Sequence, residues 1–181
     1  MRNVLTLGGA LLILASISSP ALAKEKRAPA ETAPVIIQFQ TMYGVDGPFL
    51  NPANAIRGVM PDDLPWEVES VNGKLRTNGH LKIHVEGLVF KDDPIVPPEL
   101  RGKNDEPFFR ALVSCITEDE DAGTTPVVNV VTEGFPASIP EGDSDIDARI
   151  ELPNPCAAPI VFIMAGSEDK WFAVTGFEEE E

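Results

Sequence analysis

Leu81-Lys82-Ile83-His84-Val85-Glu86 sets an apolar side chain at every second position and a polar one between. Successive side chains of a strand point to opposite faces, so Leu81, Ile83 and Val85 meet a core while Lys82, His84 and Glu86 meet water, as a half-buried antiparallel strand requires. The run Phe108 to Thr117 is different. Phe109, Ala111, Val113 and Cys115 fall on one side, and Phe108, Leu112 and Ile116, with Arg110 and Ser114, on the other. Both sides are substantially apolar, which predicts a central strand covered on each face.

Val35 to Gln40 is β-branched and aromatic, and reads as a first strand ending near Gly44 and Gly47. Trp66 to Val71 alternates, and Asn72-Gly73 after it is a turn signal that predicts a hairpin into Lys74 to Thr77. Val127 to Thr132, Asp145 to Leu152, Ile160 to Met164 and Trp171 to Thr175 complete a set of about eight strands. Ile146, Ala148, Ile150 and Leu152 form another one-sided stripe. No apolar pattern at helical spacing persists for three turns after the N-terminal segment, and 17 prolines and 14 glycines punctuate the chain. The expected fold is all-β: one antiparallel β-sandwich domain over 35–177, immunoglobulin-like in general architecture.

Met1 to Ala23 reads as a signal peptide: Arg2, an apolar run from Val4 to Ile17, then Ala21 and Ala23 at the small-residue positions before the cut. Removing these 23 residues and the single charge on Arg2 leaves 158 residues, and shifts the net charge from −15 to −16. Lys24 to Pro34 lacks large apolar side chains and is expected to be a flexible leader, and Glu178 to Glu181 a solvated acidic tail. The expected product is a soluble secreted or periplasmic protein with no membrane insertion. Its charge argues against nucleic acid, which is held by Lys and Arg on phosphates. Export delivers Cys115 and Cys156 to an oxidising space, which predicts a disulfide that staples the two sheets. Closing a loop of about 40 residues stabilises by roughly 4 kcal/mol in the chain-entropy description.

The residues that carry chemistry are few. His80 follows Asn78-Gly79 in a turn-like stretch and His84 lies on a polar strand face, so both are expected at the surface. Ser114 has no GxSxG elbow around it. Asp143, Asp145 and Asp147 recur like the start of a calcium loop. However, Ala148 and Asn154 stand where such a loop needs glycine and a bidentate acid, and a strand with a charged outer face explains the spacing. No cofactor is expected, calcium being the alternative. Glu118 to Asp121 reads as a solvated turn. Trp66 and Trp171 would stack on a sugar ring if exposed, but their strand-like surroundings place them in the core. Arg110, in the most apolar strand, calls for a structural ion pair.

Several phrases occur together: Met42-Tyr43-Gly44-Val45 with Gly47-Pro48-Phe49; Ile56-Arg57-Gly58-Val59; Leu64-Pro65-Trp66; Phe109-Arg110 with Val113-Ser114-Cys115; Leu152-Pro153 with Cys156, Ala158-Pro159 and Val161-Phe162; and Trp171-Phe172-Ala173 with Gly176. As a set, from about Thr41 to Gly176, they resemble a group of small secreted bacterial β-rich proteins with no assigned function. The resemblance implies a signal peptide, one β-rich domain and a cysteine pair, and supplies no catalytic residue. The signal peptide, the strand pattern and the lack of a catalytic constellation give the expected role: a non-enzymatic extracytoplasmic binding, surface or structural module with a protein or glycan partner. The alternatives are a polysaccharide hydrolase using paired carboxylates and a calcium-dependent carbohydrate-binding or adhesion module.

Overall fold

The computed structural model describes residues 32–50, 52–119 and 122–176. The segments expected to be a signal peptide, most of a leader and an acidic tail lie outside these residues, as do two residues of the expected 118–121 turn. Thirteen strands follow in chain order: β1 Val35–Phe39, β2 Tyr43–Gly44, β3 Met60–Pro61, β4 Trp66–Glu67, β5 Ser70–Arg76, β6 His80–Glu86, β7 Val89–Phe90, β8 Phe108–Ile116, β9 Val127–Val131, β10 Phe135–Pro136, β11 Ser144–Arg149, β12 Ala157–Ala165 and β13 Lys170–Val174. Eight have five or more residues; seven of these lie where the apolar patterns put strands, and β5 runs across an expected turn.

Two sheets carry eleven of them, and β4 pairs with β7 in a separate two-stranded sheet. The first is antiparallel, in the order β1-β5-β6-β11. The second runs β10-β8-β12-β13-β2, with β9 also on β8 and β3 parallel to β13. Val71, Leu75, Leu81, Ile83, Val85 and Ile146 from the first sheet are buried in one cluster with Phe109, Ala111, Val113, Val161 and Ile163 from the second. Burial of such side chains, about 1.5–3 kcal/mol each, is what the alternation encodes.

The two-sided apolar reading of β8 holds, and the structure supplies its reason. Leu112, Ser114, Phe162 and Met164, which alternate with the core-facing residues, are buried as well. The segment after β2 lies over them through two 3-10 turns, Gly47–Leu50 and Pro52–Asn54. Phe49 from this cap packs edge-on against Trp171 at 6.0 Å, and the Arg57 guanidinium donates to the Ser114 carbonyl at 3.0 Å.

Three expectations change. Asn72-Gly73 is not a turn, for β5 runs straight through it, with Gly73 opposite Ile83 in the middle of the β5–β6 ladder. A Cβ on Gly73 would lie 2.2 Å from Cζ of Phe39, so glycine is needed there to admit a ring. The reversal comes instead at Asn78-Gly79, where Gly79 has φ +77°, its N–H donates to the Arg76 carbonyl, and the Asn78 side chain accepts from the His80 N–H. Second, the Cys115–Cys156 disulfide forms within one sheet, between β8 and the residue preceding β12, with Cα atoms 4.9 Å apart. It closes a strand pair, and the apolar core, not the bridge, joins the two sheets. Third, the leader ends earlier than Pro34: Ala33 is buried, its carbonyl accepts from Arg76, and the Pro34 carbonyl accepts from the Thr77 N–H.

Candidate functional site

The outer face of the four-stranded sheet gathers most of the residues singled out from the sequence. Register places Asp145 opposite His84, Asp147 opposite Lys82, Arg149 opposite His80, Asn72 opposite His84 and Lys74 opposite Lys82. Period-two alternation then sends Asn72, Lys74 and Arg76 of β5, Lys82, His84 and Glu86 of β6, and Asp145, Asp147 and Arg149 of β11 to the side away from the core. All of these but Glu86 and Arg149, together with Gln38 and Gln40, line an open trough of about 810 Å³.

Charge on this face is segregated. His84 Nδ1 lies 2.7 Å from Asp145 and its Nε2 3.2 Å from Glu86; His80 Nε2 lies 2.8 Å from Asp147, whose other oxygen is 3.5 Å from Lys82. The hydrogen bond that Asp145 accepts, then the one that Glu86 accepts, raises the His84 pKa above 6.5. His80 in turn holds Asp147 below the usual carboxylate range. Towards β5 the sign reverses. Lys74 stands directly across the ladder from Lys82, an arrangement that costs stability, and Arg76 lies one step along the same face. Of the chain's 14 Lys and Arg, Arg2, Lys24, Lys26 and Arg27 precede the fold; four of the other ten, Lys74, Arg76, Lys82 and Arg149, are on this one face.

The aspartates considered for calcium are thus engaged differently. Asp145 and Asp147 bond imidazoles, while Asp143 accepts from the Gly87 N–H at 2.9 Å. Among the described residues no group of three or more His, Cys, Asp or Glu is placed to hold a metal ion. The histidines are not brought to Ser114, which is fully buried in the other sheet. His80 is itself buried, against the surface position expected of it, with Nε2 2.8 Å from Asp147, its diagonal neighbour on β11.

Trp66 and Trp171 are 1% and 0% exposed, which removes them as platforms for a sugar. Trp66 stacks on Phe172 at 3.9 Å and packs on Phe90 at 4.0 Å, and its indole N–H donates to Asp62 at 2.7 Å. Trp171 packs with Phe49 and Phe162. Arg110 is structural, as expected: it bonds the carbonyls of Ala165 and Glu168 and the Asp169 carboxylate at 3.1 Å, pinning the β12–β13 turn.

One acidic hollow escaped the sequence reading. Asp62, Asp63, Asp105, Glu106 and Glu168 line a depression of about 280 Å³ floored by Trp66, Phe90 and Phe172. Lys170 fills much of its electrostatic need, 2.6 Å from Asp63, 3.3 Å from Glu168 and 3.5 Å from Asp62, and the Asp63 hydrogen bond raises the lysine pKa. Glu106 bonds the Ser167 hydroxyl through Oε1, while its Oε2 is buried without a hydrogen-bond partner among the described residues. Asp62 and Lys170 are 108 residues apart, so no local signal announces the cluster.

No helix among the described residues is long and apolar enough to cross a membrane. Set against known protein families, curated proteins and solved structures, the chain matches none.

Proposed function

We propose that the chain is an extracytoplasmic, non-enzymatic binding module, and that the outer face of β1-β5-β6-β11 recognises a carboxylate-bearing polysaccharide. One observation carries this reading: Lys74 faces Lys82 across the ladder with Arg76 beside them, in a chain of net charge −15. A cross-strand like-charge pair is unfavourable, and a bound anion beside Lys74 would relieve the repulsion that Asp147, 3.5 Å from Lys82, leaves. The adjoining Gln38, Gln40, Asn72 and Ser70 supply amide and hydroxyl groups suited to sugar hydroxyls along the same open trough. The signal-peptide pattern, the disulfide and the resemblance to small secreted bacterial proteins support the extracytoplasmic setting.

Calorimetric titration with oligogalacturonate, against neutral dextran, tests the reading. Binding is expected for the acidic sugar alone, weakening with salt. Lys74→Gln/Lys82→Gln should lower affinity at least about tenfold, and Lys103→Gln, outside the trough, should leave it unchanged. Retention of wild-type affinity in the double variant, or appearance of new reducing ends during incubation, would count against it.

A polysaccharide hydrolase is the second reading, favoured by the buried free oxygen of Glu106 among four other carboxylates. It requires sugar cleavage that Glu106→Gln abolishes while the thermal midpoint is kept.

A further inference from the structure

The second sheet ends on β9, Val127-Val128-Asn129-Val130-Val131, which pairs with β8 along one edge, in regular register from Leu112 opposite Val131 to Ile116 opposite Val127. No strand among the described residues pairs with its other edge. The flanking bonds, Thr132 N–H to Ala111 carbonyl at 2.9 Å and Thr117 N–H to Pro126 carbonyl at 3.0 Å, set the ladder's phase. In that phase Val128 and Val130 bond β8, and the N–H and C=O groups of Val127, Asn129 and Val131 point away from the sheet. The side chains of Val127 and Val131 are 45% and 42% exposed.

Natural sheets guard such edges with charge, bulges or brevity. The other edges here do so: β11 presents Asp145, Asp147 and Arg149, β1 carries a bulge after Val35, and β2, β3 and β10 have two residues each. β9 has no charge, no bulge and no internal proline.

We propose that β9 pairs antiparallel with β9 of a second copy of this chain, about a two-fold axis through Asn129. The occupant follows from the sequence, which is a palindrome about Asn129. Antiparallel pairing on that axis sets Val127 against Val131 of the other copy at both ends, and Asn129 against its own counterpart, so the patch is self-complementary, as an isologous contact requires. Each outward-pointing residue then exchanges both hydrogen bonds with its opposite number.

Charge fits the same occupant. No like charges meet within the strand, and the nearest acid, Glu133, falls opposite Thr125. At about 3.4 Å per residue the contact is a strip roughly 17 Å long. A single strand pair of that length covers less than the about 1,200 Å² or more of stable interfaces, so the dimer is weak and reversible, and it strengthens with salt as the two anionic bodies are screened.

Sedimentation velocity of the oxidised chain, from about 10 µM to about 1 mM, a range that brackets weak association, is the test. The wild type should show a concentration-dependent monomer–dimer equilibrium. Val131→Lys should weaken it at least about tenfold, by setting a lysine against a valine at each end. Mixing Val131→Lys with Val127→Glu should restore association as a heterodimer, since only this register brings the new lysine and glutamate together. Should Val131→Lys unfold, Asn129→Pro, which deletes one outward N–H at a position where an edge strand tolerates proline, takes its place. A wild type that stays monomeric throughout, a folded variant that dimerises like the wild type, or a mixture that does not recover association overturns the proposal.

Discussion

Gly73→Ala tests the least expected local feature of the fold. The new methyl would lie 2.2, 2.6 and 2.8 Å from three ring atoms of Phe39, a buried residue on the neighbouring strand. Overpacking of this kind costs about 1–3 kcal/mol, offset by the roughly 0.5–1 kcal/mol that alanine gains over glycine inside a strand. The net expectation is a loss of about 1–2 kcal/mol, from those two contributions. Phe39→Ala alone should cost about 3 kcal/mol, the low end for a phenylalanine because β1 is an edge strand. In that background the ring is gone, and Gly73→Ala should become neutral or stabilising by up to about 1 kcal/mol. Urea unfolding of the four proteins therefore closes a cycle with a coupling of about 2 kcal/mol. Had Asn72-Gly73 been a tight turn, alanine would be penalised by its backbone conformation alone, equally with and without Phe39. Equal penalties in the two backgrounds would refute the account of Gly73 as the seat of an aromatic ring.

Other consequences are open to measurement. Replacing both cysteines by alanine should lower stability by about 4 kcal/mol, from a bridge spanning 41 residues; a denaturation midpoint that does not fall counts against the bridge as a stabiliser. Asn104 is buried, with Nδ2 donating to the Glu106 and Ser138 carbonyls at 2.7 and 2.8 Å and Oδ1 accepting from the Glu106 N–H at 2.9 Å. Asn104→Ala strands three partners and should cost about 2–4 kcal/mol, read as a lowered urea midpoint at unchanged slope. His84, raised above 6.5 by Asp145 and Glu86, contributes stability that is complete below that pH and fades as pH rises through its folded value. Asp147, held below 3.8, contributes above that value and fades as pH falls through its folded pKa. Imidazole proton shifts should give His84 a midpoint above 6.5, which Asp145→Asn lowers; an unmoved midpoint would show that the carboxylate is not its partner. Finally, Lys74→Glu should raise the thermal midpoint by turning a repulsive cross-strand pair into an attractive one while destroying oligogalacturonate binding.

Much of this architecture was legible from short-range pattern. Leu81 to Glu86 declared which residues face the core, and the doubly apolar Phe108 to Thr117 declared a strand covered on each face, although not that a loop carrying Phe49 and Arg57 supplies the second cover. Asn72-Gly73 misled because the reason for that glycine is the Phe39 ring, which arrives from another strand, while the true reversal at Asn78-Gly79 carries the same dipeptide. The two histidines and the aspartate series were each visible in the sequence, but their meeting was not. His84 and Asp145 are 61 residues apart and His80 and Asp147 are 67, and only the β6–β11 register brings them face to face. The disulfide pairing was fixed by there being two cysteines, whereas its place within one sheet depended on β8 and β12 being neighbours. Lys74 opposite Lys82 was equally hidden, since it required the hairpin to turn after Thr77 and not at Gly73.

The account rests most on the cationic row of the four-stranded sheet. Titrating the ¹⁵N-labelled, oxidised chain with oligogalacturonate and following backbone amide shifts tests it directly. The prediction is saturable movement centred on Asn72, Lys74, Arg76 and Lys82 and extending to Gln38, with β9 and the acidic hollow around Lys170 unaffected. Shifts centred on that hollow or on β9, or no saturable shift at all, would contradict it.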